Sequence, residues 1–317
     1  MATTTRISST APRRGLSIDP AFRLICWLCC AVVVVLTAGI LIELLRHSLP
    51  AIHKFGLGFV TSSAWNPVKE DFGALSSIFG TGVSTLIALV IAVPMSLVIA
   101  LFLVELAPKS VSGFFGTAIE LLAAIPSIIY GMWGMFVFAP FLAKHVQPVL
   151  GKYLGFLPLF QGPPMGLGML TAGVILALMI LPFVSAVMRD VLRMVPPVVK
   201  ESAYGLGATT WEVTKDVSVR YGLTGMVGAV FLGLGRAIGE TMAVTFVIGN
   251  SHRISASLFA SGNSIASTLA NEFTEADTTI YLSSLIYLGL VLFVITGIFQ
   301  AIAQLWLKAA LRKGGGQ

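Results

Sequence analysis

Residues 78–104 read IFGTGVSTLIALVIAVPMSLVIALFLV and contain no Asp, Glu, Lys or Arg. A helix that crosses the hydrocarbon core of a bilayer needs about 20 predominantly apolar residues. The stretch therefore predicts a membrane-spanning helix. Pro94 lies inside it, and proline is tolerated in such helices because it bends rather than ends them.

Five further stretches have the same apolar character. They run over residues 22–46, 113–142, 165–188, 222–248 and 281–307. Pro126 and Pro182 fall inside two of them and are expected to kink the helices. The chain is 56% hydrophobic and 11% charged, against about 25% charged residues in soluble domains, which excludes a soluble enzyme and a disordered chain. The predicted fold is an all-α polytopic membrane protein with six transmembrane helices.

The distribution of Lys and Arg predicts the orientation in the membrane. With the N-terminus in the cytoplasm, thirteen of the 20 basic residues fall in cytoplasmic segments and six in external ones. Cytoplasmic loops are enriched in Lys and Arg, so both termini are expected to be cytoplasmic. The predicted organisation is a cytoplasmic tail over 1–21, a first helix with its external loop over 22–77, five helices over 78–307 and a cytoplasmic tail over 308–317. The five-helix domain contains one long cytoplasmic loop, residues 189–221.

Several kinds of functional site are missing from the sequence. It has no G-x-x-x-x-G-K-[ST], H-E-x-x-H or G-x-S-x-G motif, so we predict no catalytic residue, no metal site and no cofactor bound by this chain. The four histidines lie in or beside the external loops without metal-ligand spacing, and we interpret them as solvated: His47, His53, His145 and His252. A transporter, a channel or a receptor-like membrane protein remains.

The cytoplasmic loop contains the signals of two short helices. Pro196 and Pro197 suit a helix start. Gly207 suits the position just after a helix, where the residue adopts the left-handed conformation. Thr209 and Glu212 have the spacing of a capping box at the start of the second helix, which continues toward the fifth span. An amphipathic knob of this kind either docks into a partner or lies on the membrane surface, and its physical chemistry alone leaves both readings open.

The residues of this loop also carry a family resemblance. Glu201-Ser202-Ala203-x-x-x-Gly207 resembles the E-A-A-x-x-x-G loop of binding-protein-dependent ABC importer permeases, with Ser202 in place of the second alanine. The family's usual downstream proline is missing from residues 217–220. The resemblance implies a type I ABC importer permease fold, in which this loop docks into an ATPase. It therefore implies coupling roles for the following residues: Glu201, Ser202, Ala203, Gly207, Thr209 and Glu212.

Four other segments, in the same order along the chain, resemble the phosphate permeases of this family. They are residues 59–67 (FVTSSAWNP), 120–134, 233–244 and 258–273. The resemblance implies the membrane subunit of an ATP-driven phosphate importer in a bacterial inner membrane, forming half of the translocation pathway and catalysing no reaction itself. It also implies the partners: a second permease subunit, a cytoplasmic ATPase dimer, an external phosphate-binding protein, inorganic phosphate and the lipid bilayer, with no nucleic acid.

Arg236 and Glu240 are charged residues inside the predicted fifth span. Arg236 is near the centre of residues 222–248 and hence near the bilayer midplane, where a charge costs about 2.5–3.5 kcal/mol. The planar guanidinium of Arg236 presents N–H donors that match phosphate oxygens. Glu240 can accept a hydrogen bond from a protonated phosphate oxygen, which sulfate lacks at neutral pH. We predict that both residues line the substrate pathway. The alternative is an ion pair, one helical turn apart, that only neutralises itself.

Glu120 is placed about two turns into the predicted third span from its cytoplasmic end. This position is near the coupling loop. We therefore predict that Glu120 is a gating or structural partner of that loop rather than a substrate ligand.

Three other functions stay open. A permease for another oxyanion fits the same residues. A self-contained secondary transporter or channel does not need an E-A-A-type loop, and the sequence shows no paired broken helices in two related halves. A purely structural membrane subunit has no use for Arg236 in the middle of a span.

Overall fold

The computed structural model describes residues 19–314. Within this range eleven α-helical segments follow one another, and three of them contain π-helical turns. The helices are α1 (Asp19–Phe55), α2 (Gly58–Thr61), α3 (Leu75–Leu106), α4 (Lys109–Ala123), α5 (Ser127–Leu154), α6 (Met169–Arg193), α7 (Pro197–Gly205), α8 (Thr210–Ile238), α9 (Met242–Val247), α10 (Ile265–Glu272) and α11 (Thr279–Gly314). Two short antiparallel strands, β1 (Trp65–Asn66) and β2 (Asp71–Phe72), pair between α2 and α3.

Both predicted tails lie partly outside this range. Of the predicted N-terminal tail, residues 1–18 lie outside the described residues, and α1 already begins at Asp19. At the other end α11 continues through the predicted tail as far as Gly314. Contacts divide the chain into two units, Met1–Arg46 and His47–Gln317, and the second unit is described by itself below.

Six helices of the described chain are long and apolar enough to cross a membrane, as the sequence predicts. They are α1 from Phe22, α3, α5, α6, α8 and α11 as far as Ala309. Pro94 and Pro182 lie inside α3 and α6, also as predicted. The number of spans follows from apolar length alone because each stretch exceeds the thickness of the hydrocarbon core.

The predicted third span, residues 113–142, is wrong in its position. The chain is helical from Lys109 to Ala123 and breaks before Pro126, which precedes the first residue of α5. Pro126 has φ −57° and ψ 137°, so it ends one helix and starts the next rather than kinking a continuous one. The span is therefore α5, and α4 is a separate helix before it.

The predicted fifth span, residues 222–248, is also interrupted. Helix α8 ends at Ile238, and α9 begins only at Met242. Gly239 caps the end of α8, while the Oε1 atom of Glu240 accepts a hydrogen bond from the backbone N–H of Ala243 at 3.2 Å. The described chain thus contains a helix break inside the predicted fifth span.

Helix α6 lies at the centre of the second unit. Its buried face packs against α3, α8 and α9 through a core in which alanine is frequent. At Gly173 an added Cβ would lie 2.6 Å from the side chain of Ile87, so only glycine allows α3 and α6 to approach this closely. Small residues at helix contacts supply van der Waals packing, which replaces the hydrophobic effect as the attraction between helices in lipid.

Candidate functional site

The loop between α6 and α8 forms a helical knob, residues 196–212. Pro196 precedes the first residue of α7, and Gly207 ends the helix with φ +87°, as predicted. The backbone N–H of Ala208 donates to the carbonyl of Ala203 at 3.1 Å, and that of Gly207 donates to Tyr204 at 2.9 Å. This pair of bonds is a Schellman motif, which requires the left-handed conformation that glycine adopts without strain.

The capping box predicted at the start of α8 is present. The Thr209 hydroxyl accepts from the backbone N–H of Glu212 at 3.4 Å, and the Glu212 carboxylate accepts from the backbone N–H of Thr209 at 2.8 Å. The box satisfies N–H groups that have no partner within the helix. Helix α8 then continues without interruption into the fifth span.

The knob exposes several large apolar side chains. Leu206 is 90% exposed and Trp211 is 70% exposed. Val198 on α7 and Met194, two residues before the knob, are each 68% exposed. Glu201 and Ser202 are also exposed, whereas Ala203 is half-buried. Several large exposed apolar side chains on one short segment are typical of a protein or membrane contact.

Two ion pairs occur at this end of the spans, one within the knob and one beside it. The Nζ atom of Lys200, on α7, lies 2.7 Å from Oε1 of Glu105 at the end of α3, and the Glu105 side chain is only 7% exposed. Arg189, near the end of α6, lies 2.5 Å from Oε1 of Glu120 on α4. The knob is therefore tied by opposite charges to α3. Neither pair is evident from the sequence, because both join residues far apart in the chain.

Glu120 does not lie within the third span, contrary to the prediction. It is on α4, before the break at Pro126. Its partner Arg189 is buried, and an added Cβ at Gly116 would lie 2.6 Å from the Arg189 guanidinium, so α4 and α6 meet closely around this charge. The geometry places Glu120 in a structural ion pair at the end of the bundle that carries the knob.

Arg236 lies in the last turn of α8 and not in the middle of a continuous helix. Its side chain is exposed in the single chain, and its guanidinium lies 5.8 Å from the centre of the Phe183 ring. Within residues 19–314 it forms no ion pair and no hydrogen bond through its side chain. A guanidinium on an apolar span without a carboxylate partner attracts an anion or an acidic group of another molecule.

Glu240 lies in the break between α8 and α9 and does not pair with Arg236 in the described structure. Its carboxylate is half-buried and caps the backbone of Ala243. The alternative of a self-neutralising ion pair one turn apart on one helix face is therefore wrong, because the helix ends between the two residues. They remain four residues apart at the same helix break.

A cluster with no local signal in the sequence joins the loops at the opposite end of the spans. The Glu272 carboxylate accepts hydrogen bonds from the Trp65 indole at 2.6 Å and the Tyr281 hydroxyl at 2.9 Å, and it lies 2.8 Å from Nε2 of His252. The Trp65 and His252 rings stack with centroids 4.9 Å apart. We call these four residues the loop clasp. It binds the β1 segment to the two ends of the segment that connects α9 to α11.

His252 is thus a partner in a network and not a solvated loop histidine, contrary to the prediction. Its Nδ1 atom lies 2.8 Å from the Asn263 amide nitrogen, which also lies within 2.9 Å of the Ser77 hydroxyl. Trp65 and Glu272 are 207 residues apart, so no local pattern reveals their contact. Both belong to segments that resemble the phosphate permeases, and that resemblance is the one signal in the sequence for this site.

No group of three or more His, Cys, Asp or Glu residues that could hold a metal ion occurs among the residues searched, 19–314. The described residues bring together an exposed helical knob at one end of the spans, Arg236 without an ion pair beside a helix break, and the loop clasp at the other end.

Comparisons with known proteins agree with this geometry. The profile of a family described as "Binding-protein-dependent transport system inner membrane component" matches residues 72–308. A protein of Mesorhizobium japonicum named "Phosphate transport system permease protein PstC" is 55% identical, over 86% of this chain and 84% of its own length. A protein of the same name from Pasteurella multocida is 51% identical over 89% of both chains.

Solved structures resemble the fold at low sequence identity. A bacterial alginate ABC transporter, solved in complex with an alginate-bound periplasmic protein, matches with a TM-score of 0.58 and 15% identity, over 91% of this chain and 95% of that one. The MetNI methionine ABC transporter, in an inward-facing conformation, matches with a TM-score of 0.51 and 16% identity, over 75% of this chain and 94% of that one. These structures support the fold of an ABC importer permease.

Proposed function

Because this chain belongs to the binding-protein-dependent transport system inner membrane components, we propose that it is the permease subunit of an ATP-driven importer of inorganic phosphate. The observation that supports phosphate as the substrate is the 55% identity, over 86% of the chain, to a relative named as a phosphate transport permease. The chain is a transport subunit and not an enzyme, and ATP is hydrolysed on a partner chain.

In this proposal Arg236 contacts the phosphate as it crosses the membrane. Its exposed guanidinium, without an ion pair in residues 19–314, supports this role. A second permease subunit supplies the other half of the pathway, since the side of α8 that carries Arg236 is open in the single chain. In the same proposal Glu240, which accepts a hydrogen bond from the N–H of Ala243 at the helix break, favours protonated phosphate over sulfate.

The knob transmits the motion of the ATPase dimer. The exposed Leu206 and Trp211 offer the contact surface, and the Schellman turn and capping box keep it rigid. We assign the coupling contact to Glu201, Ser202, Ala203, Gly207, Thr209 and Glu212. The chain itself binds no cofactor, and an external phosphate-binding protein delivers the anion at the clasped loops.

Reconstitution with the partner subunits tests the proposal. Proteoliposomes that contain the complete complex are expected to accumulate radiolabelled phosphate only with internal ATP and the external binding protein, and to accumulate little radiolabelled sulfate. Equal or faster sulfate uptake would favour the permease for another oxyanion. Uptake that persists without the ATPase subunit would favour the self-contained carrier and contradict the proposal.

The proposed location is a bacterial inner membrane with both termini in the cytoplasm. The excess of Lys and Arg at the knob end of the spans supports this orientation. Alkaline phosphatase fused after Gln317 is expected to stay inactive because it folds only outside the cytoplasm, whereas the same fusion after Lys69 should be active. Activity of the fusion after Gln317 would reverse the orientation.

A further inference from the structure

A cleft lies among the loops at the end of the spans opposite the knob. Its volume is about 440 Å³, and it lies between residues 161–165 and residues 251–261. Six polar side chains line it: Gln161, Ser251, Arg253, Ser255, Ser257 and Ser261. None of the described lining residues is acidic, so Arg253 gives the cleft a positive charge.

The walls of the cleft are fixed by backbone hydrogen bonds. The N–H of Met169, the first residue of α6, donates to the carbonyl of Ala260 at 3.2 Å, and that of Leu170 donates to Leu258 at 2.9 Å. The N–H of Leu258 in turn donates to Leu159 at 2.8 Å. Segment 251–261 is therefore attached both to α6 and to the loop before it, so the cleft is preformed.

Some polar side chains of the cleft form hydrogen bonds within the protein, and others do not. The Ser257 hydroxyl donates to the carbonyl of Gln161, and the Ser255 hydroxyl accepts from the N–H of Ser257 at 3.1 Å. In residues 19–314, the side chains of Arg253, Ser251 and Ser261 form no hydrogen bond or ion pair. One guanidinium and two hydroxyls are thus available to a ligand that accepts hydrogen bonds and carries negative charge.

We propose that this cleft is a receiving site for a tetrahedral oxyanion, where inorganic phosphate binds before it reaches Arg236. The inference rests on the proposed function and extends it to a second anion site in the same chain. Arg253 supplies the charge and a fork of N–H donors, and the serine hydroxyls supply further donors. A cationic concave surface also raises the local concentration of the anion at the mouth of the pathway.

A cysteine-protection experiment tests the site directly. In the assembled complex, Cys26, Cys29 and Cys30 are replaced by alanine, and Ile254→Cys supplies a reporter because Ile254 lines the cleft but offers no donor side chain. A neutral methanethiosulfonate is used, so that its rate does not depend on the charge of Arg253. Millimolar phosphate is expected to slow the modification at least about threefold, whereas chloride at equal ionic strength should not.

The protection should depend on Arg253 and not on positive charge in general. Arg253→Gln is expected to abolish it, and Lys69→Gln, which removes an exposed charge outside the cleft lining, should preserve it. Protection by sulfate as well as phosphate supports an oxyanion site without selectivity. Phosphate that gives no protection, or equal protection in Arg253→Gln, overturns the inference.

Two further arms separate this cleft from the site at Arg236 and from a protein-docking surface. Arg236→Gln is expected to leave the protection of Ile254→Cys by phosphate unchanged. If Arg236→Gln loses uptake but phosphate does not protect Ile254→Cys, only the oxyanion site in the cleft is overturned, and the proposed role of Arg236 stands. Protection that persists while Arg236→Gln transports normally overturns only the proposed role of Arg236. Weaker capture of the external binding protein by Arg253→Gln, with phosphate protection unaffected, assigns Arg253 to protein docking and also overturns the inference.

Discussion

Arg236→Gln is expected to lower ATP-dependent phosphate uptake at least about a hundredfold, while the subunit still reaches the membrane and assembles. The amide keeps much of the volume but loses the charge and the fork. Hydrogen bonds to a charged group contribute about 1.5–3 kcal/mol each, and a bidentate contact makes two of them. Uptake, membrane abundance and complex formation are measured together in proteoliposomes and membranes.

Three variants separate substrate contact from other roles of this arginine. Arg236→Lys should transport better than Arg236→Gln but less well than wild type, because the point charge of an ammonium does not reproduce the planar set of guanidinium N–H donors. If Arg236 only stabilises the carbonyl end of α8, Arg236→Gln should lower the stability of the helix end by no more than about 1 kcal/mol and leave substantial uptake. Lys152→Gln, which removes an exposed charge from the end of α5, should transport normally.

Glu240 gives the second part of the same experiment. Glu240→Gln retains an oxygen that can accept from the N–H of Ala243, so assembly is expected to survive. Discrimination between phosphate and sulfate should fall because the acceptor for the protonated phosphate oxygen is weakened. Since the structure shows no ion pair between the two residues, the double variant should remain as inactive as Arg236→Gln. Recovered uptake in the double variant would contradict contact between Arg236 and phosphate.

Local chemistry in the sequence predicted the features that depend on few neighbouring residues. The six spans follow from apolar length, and the turn at Gly207 follows from the need for a left-handed residue after α7. The box of Thr209 and Glu212 follows from a spacing of three residues. In each case the interacting groups lie within one or two helical turns, so the sequence contains all the partners.

The breaks at Pro126 and at Glu240 were mispredicted for a common reason. Both lie inside apolar stretches, and average hydropathy does not distinguish a continuous helix from two shorter ones. At Glu240 the break depends on two features. Gly239 caps the end of α8, and the Glu240 carboxylate accepts a hydrogen bond from the N–H of Ala243 in α9. The interruption therefore depends on backbone hydrogen bonds that the apolar pattern does not encode.

The ion pair of Lys200 with Glu105 and the loop clasp could not be predicted because their members are distant in the sequence. Lys200 and Glu105 are 95 residues apart, and Trp65 and Glu272 are 207 apart. A histidine in a polar loop is usually solvated, whereas His252 stacks on Trp65 and contacts Glu272 and Asn263. Such contacts arise from the packing of the spans that carry the loops.

Gly207→Val is expected to uncouple transport, with a fall in uptake and in binding-protein-stimulated ATP hydrolysis of roughly 5- to 30-fold. At φ +87° no described atom lies within 4 Å of an added Cβ, so the penalty comes from the backbone and not from a clash. A left-handed conformation costs a residue with a Cβ about 1–2 kcal/mol, and each 1.4 kcal/mol changes an equilibrium tenfold. Both rates are measured in proteoliposomes at equal membrane abundance.

Matched variants identify the backbone as the cause. Gly207→Asn should retain much of the uptake, because asparagine visits the left-handed region more readily than valine. Gly205→Ala, two residues earlier, also meets no atom within 4 Å but does not need a positive φ, so it should transport normally. If Gly207→Val transports as well as Gly205→Ala, the rigid turn is not required for coupling. Because Gly207 lies between exposed Leu206 and the capping box of α8, its strain acts on the orientation of the knob while the spans remain packed.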